Sequence, residues 1–166
     1  MSGYIRPVDP EKQYEVVDRI AEAAQERGIR IAAAESLTSG RVMSRLGAGS
    51  GASEWFAGGV VAYDEEVKFE LLKVDRGPVI TASCARQLAT GVADLLGADV
   101  AVGITGCGGP DPEEDQPPGT IYVAVSSADG IREEHHVLEG GDDPDQVLDD
   151  ATGVALALLA EVVGDS

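Results

Sequence analysis

The sequence predicts an α/β domain, a three-layer α/β/α sandwich built around a mixed sheet. Three observations predict it. Early in the chain, short apolar runs that suit strands alternate with longer segments of helical period. Later, two strand-like runs meet at Asp129-Gly130, a hairpin signal, so an antiparallel pair joins the sheet. The 166 residues can bury roughly two thirds of their unfolded surface, so a core forms without disulfides or a structural metal. Residues 1–166 read as one domain with a loose start at 1–10, where Pro7 and Pro10 interrupt regularity.

The elements follow in order. Residues 11–27 form a helix, because Val16, Val17, Ile20, Ala21 and Ala24 recur at helical spacing and Gly28 suits the position just past its end. The run IRIAAAE (29–35) suits a buried strand. SLTSG breaks it, and 40–48 forms a second helix. WFAGGVVAY (55–63) reads as the next strand, and Asp64 caps a helix that runs to about residue 72. Thr81 or Ser83 starts another helix, with Ala85, Leu88, Ala89, Val92, Leu95 and Leu96 as its apolar stripe. Residues 99–104 form a strand and 106–119, rich in Gly, Pro and acid, a loop. Residues 120–127 and 131–138 pair as the hairpin. A last helix spans roughly 144–163, with Val147, Leu148, Ala151, Val154, Ala155, Leu158, Leu159 and Val162 on one side.

Charge narrows the function classes. Lys plus Arg total 12 and Asp plus Glu total 30, a net −18. No basic face is available for phosphate backbones or for anionic lipid, which argues against nucleic-acid and membrane partners. Lys12, Lys68 and Lys73 are the only lysines, beside nine Arg, fifteen Asp and fifteen Glu. Such a balance suits a cytosol at molar salt, where the Debye length is about 3 Å and self-repulsion is screened. Cys84 and Cys107 are too few for a disulfide scaffold, and neither stands in a metal-ligand spacing. No apolar run of transmembrane length and no signal-peptide pattern is present, so a soluble cytoplasmic protein is expected.

In α/β sheets, ligands bind beyond the carboxyl ends of the strands. Three such ends carry reactive residues. In Glu35-Ser36-Leu37-Thr38-Ser39-Gly40, a hydroxyl of Ser36 or Thr38 either caps the next helix or stands ready as a nucleophile or phosphate ligand. From Tyr63 to Lys68, a strand leads into a helix whose first turns and burial both disfavour an ammonium, so Lys68 is a candidate general base. The plainer alternative is a surface lysine paired with Asp64 or Glu65. In Thr105-Gly106-Cys107-Gly108-Gly109-Pro110, the glycines allow close approach of backbone to a ligand, or simply make a flexible loop. Trp55 is expected in the core or an interface. His135 and His136 are adjacent in a strand, point to opposite faces and cannot share a metal.

Four motifs in this order are similar to one known family. AESLTSG (34–40), ASEWFAGGVVAYDEEVK (52–68), GITGCGGPD (103–111) and PPGTIYVAV (117–125) resemble the CinA C-terminal-domain family, with its stand-alone nicotinamide-nucleotide amidohydrolases of the PncC type. The resemblance runs from about residue 11 to 163. It implies hydrolysis of the carboxamide of nicotinamide mononucleotide to nicotinate mononucleotide and ammonia, with no metal and no cofactor. It also implies a homo-oligomer. Carried over by motif, the implied catalytic residues are Ser36, Ser53, Tyr63 and Lys68, either serine serving as nucleophile. The implied substrate-binding residues are Thr38, Thr105, Gly106, Gly108 and Gly109. Backbone N–H groups of the SLTSG or TGCGG turns would hold an oxyanion or phosphate.

The chain departs from the family pattern where the last helix begins. Asp143 and Leu148 stand where arginines that would help bind an anionic substrate are expected, and no Arg follows Arg132. Asp64-Glu65 replaces serine-asparagine, and Pro110-Asp111-Pro112 replaces proline-glycine-glycine. Arg41 or an arginine of a neighbouring subunit could compensate. Two alternatives to the amidohydrolase therefore stand: a non-catalytic nucleotide-binding module, and a hydrolase of a less anionic amide.

Overall fold

A computed structural model describes residues 8–164. Of the loose start expected at 1–10, residues 1–7 lie outside the described residues. Asp9 caps a single 3-10 turn at Pro10–Lys12, its carboxylate accepting from Glu11 N at 3.0 Å. Pro10 opens this turn rather than breaking structure, as proline can in a first turn.

Helix α1 (Gln13–Arg27) ends at Gly28, whose φ of +63° is the left-handed conformation a helix end requires. It leads into strand β1 (Ile31–Glu35), buried along its whole length. Helix α2 (Arg41–Gly47) follows. The strand expected over 55–63 begins instead with a four-residue helix, α3 (Ala52–Trp55), and only Phe56–Val61 is strand β2. Trp55 closes α3, fully buried, with Nε1 donating to the Ser50 carbonyl at 2.9 Å. That bond and the ring's burial fold the segment back over the core. Helix α4 (Glu65–Leu71) is capped by Asp64, which accepts from Glu66 N at 2.7 Å. Helix α5 (Ala82–Leu96) is capped by Thr81, and Ser83 lies inside it. Strand β3 (Val100–Gly106) runs two residues further than expected, so the following loop is 107–119.

Strands β4 (Thr120–Ser127) and β5 (Gly130–Val137) make the hairpin. Ser127 pairs with Gly130, so Ala128 and Asp129 are the two turn residues and Gly130, at φ +116°, opens the return strand. Helix α6 (Pro144–Gly164) completes the chain.

The sheet has the order β2-β1-β3-β4-β5, with β2, β1 and β3 parallel and β4 and β5 antiparallel to their neighbours. One face carries Ile31, Ala33, Val102, Ile104, Val123 and Val125 against α1 and α6. The other carries Ala32, Ala34 and Ala101 against Leu88 and Val92 of α5. Small residues on that second face let α5 lie close. A Cβ on Gly103 would stand 2.5 Å from the Ala85 carbonyl oxygen and 2.6 Å from Ala89 N, so only glycine fits. Helices α2, α4, α5 and α6 all begin at the edge where β1, β2 and β3 end. Among the described residues, no helix is long and apolar enough to cross a membrane.

Candidate active site

The edge where the parallel strands end holds a cavity of about 310 Å³. Ser36, Tyr63, Lys68, Thr105, Gly106, Gly108 and Gly109 line it, together with Leu37, Ser39, Glu65, Val79, Ile80, Glu113, Pro144 and Leu148. The three strand-end segments picked out from the sequence therefore meet around one space. Two expected residues do not join them. Ser53 is exposed on α3, before the start of β2, at the opposite end of the sheet. Thr38 is fully buried and turned away, donating to Glu35 Oε1 at 2.6 Å.

That bond belongs to a cap that sequence reading assigned to Ser36 or Thr38. Glu35, at the end of β1, is fully buried. Its Oε1 accepts from Gly40 N at 3.2 Å and Val42 N at 3.0 Å, and its Oε2 accepts from Met43 N at 2.9 Å. The carboxylate thus satisfies the unpaired amides at the start of α2. Within the SLTSG turn this takes the Gly40 amide, while the Ser36 and Ser39 amides donate to the carbonyls of Ile104 and Ser36. The chain's only signal for this was an acid closing an apolar run.

Relieved of capping, Ser36 presents its hydroxyl to the cavity. The residue is 8% exposed, and its Oγ makes no hydrogen bond among the described residues. Lys68 is 1% exposed. Its Nζ donates to the Tyr63 carbonyl at 3.1 Å and forms no ion pair among the described residues. The pairing with Asp64 or Glu65 is therefore absent. Burial lowers the Lys68 pKa, against the opposing pull of Cys84, Glu65, Asp64 and Glu114. The helix-dipole argument does not apply, because α4 is seven residues long and Lys68 stands in its last turn. Tyr63 holds the amine through its backbone, while its ring is 70% exposed beside the cavity.

The remaining wall is tied together by polar bonds. Thr105 Oγ1 donates to the Val79 carbonyl at 2.8 Å, which fixes the approach to α5. Glu114 accepts from Val79 N and Ile80 N at 2.9 Å each. Gln116 donates to the Ile80 carbonyl at 2.7 Å. The loop, for which flexibility was one of two readings, is thus strapped across the segment before α5. Sequence reasoning missed Glu114 and Gln116, since their partners lie more than thirty residues away. Gly109, at φ +77°, turns the loop into the cavity. The Gly108 and Gly109 amides make no hydrogen bond among the described residues. Cys107 is fully buried and donates through Sγ to the Asp111 carbonyl at 3.2 Å. Cys84, also buried, has its thiol pushed up to about 11, chiefly by burial.

The departures at the last helix can now be placed. Asp143 accepts from Gln146 N at 3.4 Å at the start of α6. Leu148 lines the cavity opposite Gly108. Arg41 does not line it and faces Asp145 at 3.6 Å and Asp149 at 3.7 Å. His135 stacks on Tyr122 and His136 contacts Glu134, on opposite faces of β5.

This arrangement has close relatives. A crystal structure of a CinA superfamily protein from Klebsiella pneumoniae superposes with a TM-score of 0.87 at 30% identity, covering 93% of this chain and 99% of that one. Another from Escherichia coli gives 0.90 at 26% identity, covering 96% and 95%. A Bacillus subtilis protein, provisionally named competence-damage inducible protein, is 42% identical over 125 residues, 72% of this chain and 30% of the relative. The chain thus spans under a third of the length of the curated relatives it matches. The family model for the CinA C-terminal domain matches residues 13–163. With nearly the whole chain matched and the fold shared, the chain belongs to the CinA C-terminal domain family.

Proposed function

We infer that the chain is an amidohydrolase that cleaves the carboxamide of nicotinamide mononucleotide or a close pyridinium analogue, without a metal. One observation carries this reading. Among the described residues, a buried lysine with no ion pair shares a cavity with a serine whose hydroxyl makes no hydrogen bond. A lysine in that setting is disposed to the neutral amine a serine nucleophile needs.

In this reading Lys68 Nζ takes the proton of Ser36 Oγ as the oxygen bonds to the carboxamide carbon. The Gly108 and Gly109 amides, lining the cavity without acceptors of their own, receive the developing oxyanion. The C–N bond then breaks, Lys68 returns its proton to the leaving nitrogen, and ammonia departs. Water, deprotonated by Lys68, cleaves the acyl-serine to the carboxylate and restores Ser36. Tyr63 supports this by fixing the amine through its carbonyl, and Thr105 by fixing the Val79 wall.

Ammonia release, measured in molar KCl with EDTA present, tests the reading. Wild type should release ammonia. Lys68→Ala should lower turnover by at least ~100-fold, as loss of a general acid–base group does, while remaining folded by circular dichroism. Near-normal turnover in that variant rules out the mechanism.

A further inference from the structure

Four helices begin at the cavity's edge of the sheet, and a helix start normally attracts an anion. Here the chain's own carboxylates stand at or just before each one. Glu35 fills the start of α2. Asp64 caps α4. Glu114 occupies the two amides just ahead of α5. At α6, Pro144 has no N–H, Asp145 lies in the first turn and Asp143 accepts from Gln146 N. On the walls, among the described residues, carboxylates outnumber cations two to one. The charged lining residues are Glu65, Glu113 and Lys68, and burial disfavours the charged form of Lys68. Arg41 is engaged by Asp145 and Asp149. Leu148 and Pro144 make the wall at α6 apolar.

Among the described residues that line the cavity, a phosphate dianion would meet two carboxylates, Glu65 and Glu113, and one lysine that is itself buried. A cationic aromatic ring would meet the reverse. The open face of Tyr63 suits a pyridinium through the ring quadrupole, and Glu65 and Glu113 supply attraction. At about 310 Å³, the space is at the small end of the usual range for ligand sites. We propose that this cavity selects a phosphate-free N-ribosylated pyridinium carboxamide, the riboside, over its 5′-phosphate. Leu148 and the pair Glu65 and Glu113 set that preference. The proposal rests on the amidohydrolase reading for its chemistry but not for its binding preference.

Titration calorimetry on the folded protein, with nicotinamide riboside and nicotinamide mononucleotide in turn, separates the two. The riboside should bind at least tenfold more tightly. Leu148→Arg should shift the ratio of the two affinities at least tenfold toward the mononucleotide. Glu113→Gln, on an exposed residue, should weaken the riboside and spare or improve the mononucleotide. Equal or tighter binding of the mononucleotide by wild type overturns the proposal, as does failure of both to bind. Ammonia is then assayed on the riboside. Tight riboside binding without ammonia release would remove the hydrolase reading and leave the selectivity standing.

Discussion

Lys68 is buried where an ammonium is poorly solvated, and no ion pair compensates it among the described residues. Burial lowers its pKa in the fold, whereas the unfolded chain keeps the ordinary lysine value of about 10.4. Below that value the unfolded state binds a proton that the native state holds less readily. The penalty on folding therefore grows as pH falls from the ordinary value toward the folded pKa, and stability rises with pH across that window. Lys68→Met removes the titration. The melting temperature of wild type relative to Lys68→Met should accordingly climb as pH is raised from the folded pKa toward the ordinary lysine value. A gap independent of pH would mean that burial does not perturb this amine. If Lys68 is also the base, kcat/KM should rise through the same folded pKa, below the usual lysine range.

At the scale of an element, α2 depends on a residue outside it. Gly40 stands at the N-cap with φ +104° and offers no side chain, so the cap is Glu35, four bonds deep in the protein. Glu35→Ala would leave the Gly40, Val42 and Met43 amides without acceptors and should cost about 2–4 kcal/mol in urea unfolding. A loss under about 0.5 kcal/mol would show that water replaces the carboxylate. Because the SLTSG turn carries Ser36, activity should fall with the cap. Elements of this kind mark where the sequence was legible. Helices α1, α5 and α6 are 15, 15 and 21 residues long and repeat apolar residues at helical spacing, so their period identifies them. The four residues of α3 are too few for a period, and Trp55 folds them by a tertiary contact. Ser36, Lys68 and Thr105 line one cavity because strand ends converge in parallel sheets. Ser53 precedes β2 and so lies at the end of that strand away from the cavity. Glu35 and Glu114 were hidden because a capping carboxylate is recognised only once its distant amides are folded against it.

At the scale of the whole molecule, the net charge carries a prediction about the salt dependence of stability. The net −18 is spread over a surface whose ion pairs, such as Arg76 with Glu66 and Glu70 and Arg86 with Glu133, are exposed. Exposed pairs are solvated and screened and contribute little, too little to offset repulsion among the many remaining carboxylates. Unfolding relieves that repulsion by spreading the chain, so low salt favours the unfolded state. The screening length grows from about 3 Å at 1 M to about 30 Å at 0.01 M, at which point most surface carboxylates sense one another. Dilution of KCl across that range should lower the melting temperature by ~5 °C or more, the change that about 2 kcal/mol produces in a domain of this size. Sodium chloride at matched ionic strength should act alike, since screening depends on charge and concentration rather than on the ion. A melting temperature unchanged between molar and millimolar KCl would remove the salt-adapted reading of the composition.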